Sequence, residues 1–305
     1  MKARSHASCL SCLRGRFVTV LDVLLLLMVT IWGANFSVIK LALRDFPQIP
    51  FNALRLLLAS SVFLTALAIR RPTDSPLTRE DWTRLAFLGL VGHLLYQLFF
   101  LAGIARTSVA NSSLIFGTTP VFVAILSALA GHDRLRWPRW AGAVLSLAGI
   151  YAIVGYRAEL STATLAGDVL MFLGMLCWST YSVAAQPLLR RHTPMVVTGW
   201  SMAMGTAFYL VLAVVPMTRT DWGAISPLSR GLMVASSLLA LAVAYMIWYT
   251  AVQRIGSART SVYSNLTPVV AMIVAAIWLG ETISGAQIVG AAMILSGIAV
   301  NRLAH

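Results

Sequence analysis

Long apolar runs separated by short polar breaks fill almost the whole chain. The first extends from about residue 18 to 43. Nine more follow at about 49–69, 84–104, 107–131, 136–156, 166–188, 195–217, 229–252, 257–279 and 284–302. Each approaches the roughly 20 residues with which a helix crosses a hydrocarbon core of about 30 Å. Lipid offers no partner to an unpaired backbone amide, and these runs are too long for barrel strands, so helices are expected. The pattern therefore predicts an all-α integral membrane protein with ten transmembrane helices. The first run has the basic flank of a signal peptide, but it is too long for one and no A-x-A cleavage site follows it.

The polar breaks and prolines recur in register. Thr119-Pro120-Val121 returns as Thr267-Pro268-Val269, Asp133 as Glu281, and the glycine pair Gly142 and Gly149 as Gly290 and Gly297, all at an offset of 148 residues. Pro47 meets Pro194 at 147, and Trp32 meets Trp178 at 146, a drift of one residue per loop. The chain reads as two copies of one unit, 18–156 and 166–302, behind a tail of residues 1–17 without periodicity. Five spans per copy is an odd number, so the second copy must enter the membrane in the opposite sense. Inverted five-helix repeats place a solute site near the midplane, between halves that rock against each other.

Composition agrees with the pattern: 59% of the 305 residues are hydrophobic and 11% charged, with mean hydropathy +0.82, against about 25% charged in a soluble domain. The net charge of +13 is spread over short loops, as retention on one membrane face requires, which argues against nucleic-acid binding. Loops on one side hold five basic residues (Arg44, Arg106, Arg157, Arg219 and Arg230), and the side carrying the amino-terminal tail holds sixteen. The positive-inside rule then puts both termini in the cytoplasm and the protein in the inner (plasma) membrane. Cys9 and Cys12 form a lone CxxC, best read as an incidental pair in the tail, and Cys177 reads as an apolar filler beside Trp178. No metal site and no cofactor are predicted.

Several local patterns resemble the ten-helix, EamA-type branch of the drug/metabolite transporter superfamily. Trp32-Gly33-Ala34-Asn35-Phe36 with Lys40 resembles that family's W-G-x-N-F…K opening, and Arg55-Leu56-Leu57-Leu58-Ala59 its R-F-L-L-A pattern. Leu279-Gly280-Glu281 with Gly290 and Gly297 resembles its L-G-E ending, from which the first copy departs as Gly131-His132-Asp133. The resemblance covers residues 18 to 302 and implies secondary transport, mostly export of amino acids or other small metabolites. His93 with Tyr96 and Trp178 are similar to positions in YddG-like amino-acid exporters.

Candidate solute-binding residues come from helical spacing and from the repeat. His93, Tyr96, Gln97 and Phe100 are three, four and seven apart and share one helical face. Tyr245 and Trp248 lie 148 residues beyond Gln97 and Phe100, with Tyr249 adjacent. Trp32 with Asn35, and Trp178 with Tyr181, are one-turn pairs in equivalent spans. Asn111, Phe116 and Asn265 lie on the two proline-bearing spans. Aromatic rings offer planar apolar contact while amides and hydroxyls orient polar groups, as a central cavity requires; a helix-packing face is the plainer alternative. Pro120 and Pro268 each remove an amide donor and should kink their helices, as static bends or as gating hinges.

Lys40 and Arg55 are the charges nearest a span interior, both toward the predicted outer ends, where they either snorkel or attract a carboxylate solute. No carboxylate is placed at mid-membrane, so His93 is the candidate for any proton coupling, and facilitated diffusion is the alternative. The glycine pairs read as packing within the bundle or between protomers, leaving monomer and homodimer open.

The expected activity is export of amino acids, aromatic or otherwise neutral, or of related small metabolites by alternating access. The competing reading is a multidrug, lipophilic-cation or nucleobase exporter of the same fold, which predicts a mid-membrane acid. No HExxH, GxSxG or intramembrane aspartate pair argues for an enzyme. A non-transporting scaffold would have no use for mirrored polar faces. The partners expected are a small-molecule solute and the lipid bilayer.

Overall fold

The computed structural model describes residues 20–70, 76–131, 162–261, 263–285 and 287–293, with Leu145, Ala148 and Ser296. Among these residues there are helices and no strands, and eight helical stretches are long and apolar enough to cross a membrane. They are α1 (Val20–Ala42), α2 (Gln48–Arg70), α3 (Arg79–Ile104), α4 (Val109–Leu129), α5 (Thr164–Leu189), α6 (Pro194–Thr218), α7 (Pro227–Ile255) and α8 (Arg259–Leu279). Apart from Leu145 and Ala148 the predicted span 136–156 lies outside the described residues, as do about half of 284–302, the tail, Cys9, Cys12, Asp133, Gly142, Gly149 and Gly297.

Burial is inverted relative to a water-soluble bundle. Val211, Val214, Ile277 and Trp278 stand mostly exposed, whereas Ser37, Asn52, Arg55, His93, Gln97 and Asn111 are buried. An exposed apolar surface of this extent would be a liability in water; against lipid it is the solvent-matched face, and polar groups turn inside.

The two halves of the chain pack in matching ways. α1 lies on α8 as α5 lies on α4, α1 meets α7 as α5 meets α3, α2 meets α7 as α6 meets α3, and α2 and α6 pair with each other. Where α3 crosses α6 the backbones nearly touch: a Cβ on Gly205 would sit 2.3 Å from the His93 Cβ and 2.6 Å from the Gly89 carbonyl oxygen.

Local irregularities repeat as well. π-helical turns occupy Leu90–Leu95 in α3 and Ser236–Val243 in α7, and their last residues are 148 apart. The proline-bearing helices each break and restart. Thr118 interrupts α4, and a 3₁₀ turn at Tyr263–Leu266 precedes the regular part of α8. Each proline is then the second residue of a new helical segment, where little is lost by its missing donor. Pro120 still cannot bond the Phe116 carbonyl, and the Thr119 hydroxyl donates to that oxygen instead, at 2.6 Å.

Polar ties close each end of the bundle at related positions. At one end Lys40 donates to the Thr107 carbonyl and its Nζ lies 3.9 Å from Glu281. The Glu281 carboxylate accepts the backbone N–H groups of Val109 at 3.0 Å and Ala110 at 3.4 Å, which open α4. Asp168 accepts from the Thr107 hydroxyl and, at 3.2 Å, from the Asn111 amide; Gln287 donates to the Asn111 amide oxygen at 2.7 Å. At the other end Gln186 donates to Ser257, Tyr263 to Asp22, and Gln253 to the Leu189 and His192 carbonyls. Gln186 and Asp168 stand 146 residues beyond Lys40 and Asp22, so the Lys40 and Asp168 ties at one end match the Gln186 and Asp22 ties at the other.

Two helix starts complete the match. Thr78 caps α3 in a reciprocal box with Asp81, and Ser226 caps α7 by accepting from Ser229, 148 residues on. The α5–α6 turn bonds the first cap, with Arg191 3.1 Å and His192 3.3 Å from Asp81. The α1–α2 turn bonds the second: Asp45 accepts from the Ser226 N–H at 3.0 Å and from the Ser229 hydroxyl.

Hydrogen bonds from the Ser226 and then the Ser229 side chain hold the Asp45 carboxyl below the ordinary aspartate range. A lowered folded pKa stabilises above the unfolded value, near 3.9, and that contribution is lost as pH falls through the lower folded value. Asp45→Asn is accordingly expected to flatten the fall of Tm below about pH 4, and an unchanged slope would assign the acid sensitivity to other carboxylates.

Candidate functional site

A cavity of about 600 Å³, its mouth included, opens in the middle of the bundle. It is lined from α1 by Trp32, Asn35 and Phe36, from α2 by Arg55, from α3 by Tyr96, Gln97 and Phe100, and from α4 by Phe116 and Thr119. Trp178 of α5 and Ala240, Leu241 and Tyr245 of α7 complete the wall with Ser264 and Thr267 of α8.

The aromatic wall is continuous. Trp178 meets Trp32 edge-on at 5.3 Å between centroids, Tyr245 at 5.2 Å and Tyr96 at 5.4 Å. Phe100 lies 5.3 Å from both Phe36 and Phe116. The π-helical turn of α7 anchors this wall. Its Ala240 carbonyl accepts the Trp32 indole N–H at 3.1 Å, its Ser236 hydroxyl donates to the Asn35 amide oxygen, and Ser237 donates to the Arg55 carbonyl at 2.7 Å. A widened turn frees carbonyls and re-aims side chains, a frequent feature of functional helices.

Among the described residues, Arg55 is the wall's one charge. Its side chain is 1% exposed, its Nη1 donates to the Asn52 amide oxygen at 3.0 Å, and its guanidinium stacks over Phe51 at 5.4 Å. Its Nε has no partner, and neither does the Thr267 hydroxyl across the cavity. The ionisable groups around the guanidinium are the phenols of Tyr96, Tyr245 and Tyr209, and no described acid pairs with it. Sequence reasoning puts Arg55 toward the outer end of its span with Lys40. Lys40 lies beside Arg44 and Glu281 in a surface recess, whereas Arg55, in the first half of α2, is turned inward and lines the cavity. Hydropathy counts residues along a span and is blind to the direction a side chain faces, so it misses a charge turned inward.

The other sequence candidates fall on the wall, behind it and at its margins. Trp32, Asn35, Tyr96, Gln97, Phe100, Phe116, Trp178 and Tyr245 line the cavity. His93, Tyr181, Trp248 and Tyr249 form a layer behind it: His93 Nε2 meets the Tyr181 hydroxyl at 2.9 Å, Tyr249 packs on Tyr181 at 5.3 Å, and Trp248 lies 5.5 Å from both Trp32 and Trp178. Asn111 belongs to the end tie with Asp168. Asn265 is buried on α8 with an unpartnered amide oxygen, next to the lining residue Ser264. Pro120 and Pro268 sit one residue beyond the lining residues Thr119 and Thr267. His93 leaves the face of Tyr96 because the π-helical turn lies between them, so a spacing of three no longer superimposes side chains. The lining residues Phe36, Thr119, Ala240, Leu241, Ser264 and Thr267 are not among the sequence candidates; Phe36, Thr119 and Thr267 lie within motifs read for other reasons, and Ser236-Ser237 in an otherwise apolar run hints at the neighbourhood of Ala240 and Leu241.

A lipid-facing helical bundle with a central polar and aromatic cavity has the form of a multi-pass membrane transporter. The chain belongs to the EamA-like transporter family, whose model matches it twice, over residues 20–155 and 165–303. An "Uncharacterized transporter" of Archaeoglobus fulgidus is 30% identical over 90% of this chain and 94% of its own length. A "Probable terminal-alkyne amino-acid exporter" of Streptantibioticus cattleyicolor is 28% identical over 90% of each chain. A "Probable amino-acid metabolite efflux pump" of Salmonella typhimurium is 27% identical over 91% of this chain and 93% of its own. One crystal structure superposes with a TM-score of 0.69 at 21% identity, covering 93% of this chain and 96% of that one, and so shares the fold.

Proposed function

We propose that the protein is a secondary transporter exporting amino acids or related small metabolites across the inner (plasma) membrane by alternating access, with both termini cytoplasmic. Ten helices in two inverted repeats, 18–156 and 166–302, would rock about the central cavity, whose lining residues hold the solute. The repeat reading is supported by the double family match, the matching helix contacts and the paired end ties. Two relatives are named for amino-acid or amino-acid-metabolite efflux. The observation that carries the substrate reading is Arg55, a buried guanidinium without a described counter-ion in an aromatic wall. A cation exporter would need an acid there, and none of the described residues supplies one. Any proton that accompanies the solute is assigned to His93, in contact with Tyr181 one layer behind the wall.

Counterflow in proteoliposomes tests this. Vesicles loaded with one unlabelled amino acid at a time should take up the labelled solute saturably without an ion gradient. The double variant Tyr96→Leu/Trp178→Leu should lower exchange by roughly tenfold or more, about 1.4 kcal/mol, because it removes both rings from one wall. Folded protein that exchanges no amino acid would sink the substrate class, and full activity in the double variant would move the site elsewhere.

A further inference from the structure

The charges of the bundle can be followed one by one. Ten acidic residues occur in the chain, and seven are described. Asp22 holds Tyr263, Asp45 holds Ser226 and Ser229, and Asp81 holds Arg191 and His192. Asp168 holds Thr107 and Asn111, Glu281 holds Lys40 and the start of α4, Glu80 holds Arg84, and Asp221 bonds the Gly223 N–H. None lines the cavity. The described wall therefore carries one positive charge and no negative one.

We propose that this cavity selects its solute by a single carboxylate on an aromatic or otherwise apolar body, and takes it as an anion, with no requirement for an ammonium group. The inference rests on the transport-site reading above and narrows it. Arg55 offers a donor fork that matches a carboxylate, with Nε free. Trp32, Trp178 and Phe100 offer faces and edges to a planar body. An ammonium entering the same space would leave water for a wall whose only charge repels it. The wall meets that charge with neutral acceptors alone: Asn35 already accepts from Ser236, and the Gln97 amide oxygen and the Tyr245 and Thr267 hydroxyls are unpartnered but carry no negative charge. Zwitterionic amino acids should therefore be tolerated less well than their anionic analogues, and amines rejected.

Four probes of one ring system separate these cases: phenylacetate, N-acetylphenylalanine, phenylalanine and phenethylamine. Their binding to the detergent-purified full chain is read from quenching of tryptophan fluorescence, to which Trp32 and Trp178 contribute from the wall, and from the shift in Tm. The expected order is both anions at least tenfold tighter than phenylalanine, with phenethylamine inactive. Arg55→Gln should remove the preference for anions, and Arg55→Lys should restore part of it. The wild-type series needs no variant to fold. Phenylalanine binding as tightly as phenylacetate, phenethylamine binding at all comparably, or no binding by any probe would each overturn the proposal. Counterflow of labelled phenylacetate separates this from the transport reading. Binding in the expected order without exchange supports the cavity chemistry and rejects transport, whereas exchange that favours the zwitterion keeps transport and rejects anion selection.

Discussion

Gly205→Val is expected to yield no stably folded protein. At the α3–α6 crossing even a methyl group would stand 2.3 Å from the His93 Cβ and 2.6 Å from the Gly89 carbonyl oxygen, and the Gly89 oxygen belongs to a helix backbone that cannot rotate aside. The helices would have to separate, and with them His93, whose ring holds Tyr181 at 2.9 Å in the layer behind the cavity. Close backbone approach at small residues is a chief source of helix association in lipid, where no hydrophobic drive between helices remains. Overpacking a core ordinarily costs about 1–3 kcal/mol; two backbone-limited contacts at one position should exceed that. Gly205→Ala should be a graded version, with a lower Tm and a broadened size-exclusion profile. Gly231→Ala is the control, because nothing lies within 4 Å of its added methyl and alanine favours the helix. Equal behaviour of Gly205→Ala and Gly231→Ala would mean that the crossing tolerates a side chain after all.

Much of this arrangement is legible in the sequence. The apolar runs locate all eight described spans, because hydropathy measures what lipid selects. The Thr-Pro-Val register locates both helix breaks, because proline acts on its own backbone. Local chemistry beyond that is hidden. Nothing in the apolar pattern announces a π-helical turn, yet the one at Leu90–Leu95 separates His93 from Tyr96, and its counterpart in α7 supplies the carbonyl that holds Trp32. Nor does spacing distinguish a residue facing the cavity from one a layer behind. Trp178 and Trp248 have the same chemistry, and only packing puts the first on the wall. Arg55 is visible as a charge in a span, and its depth is not, since its partners Asn52 and Phe51 matter only once the helix is turned toward its neighbours.

Breaking the two sets of end ties should have opposite effects on access to the cavity. Glu281 binds the first turn of α4 through backbone N–H groups, where a carboxylate is favoured by the helix dipole, and it faces Lys40 of α1. Its partner Lys40 is 28% exposed, so the ion pair itself adds little and the charge-assisted bonds to the backbone dominate. Hydrogen bonds to charged groups contribute about 1.5–3 kcal/mol each, so Glu281→Gln should weaken that end by more than the roughly 1.4 kcal/mol that shifts a two-state population tenfold. At the other end Asp81→Asn loosens Arg191 and His192 from the start of α3. Alternating access requires one end to be closed while the other opens, so each variant should favour opening at its own end. A cysteine replacing Ser264 on the cavity wall, in a chain with Cys9, Cys12 and Cys177 replaced by alanine, reports this through labelling by a membrane-impermeant maleimide. Glu281→Gln is expected to raise labelling several-fold from one face of the membrane, and Asp81→Asn from the opposite face. Labelling that rises from the same face in both variants would show that the ties do not act as alternating closures, and the paired contacts would then serve packing alone.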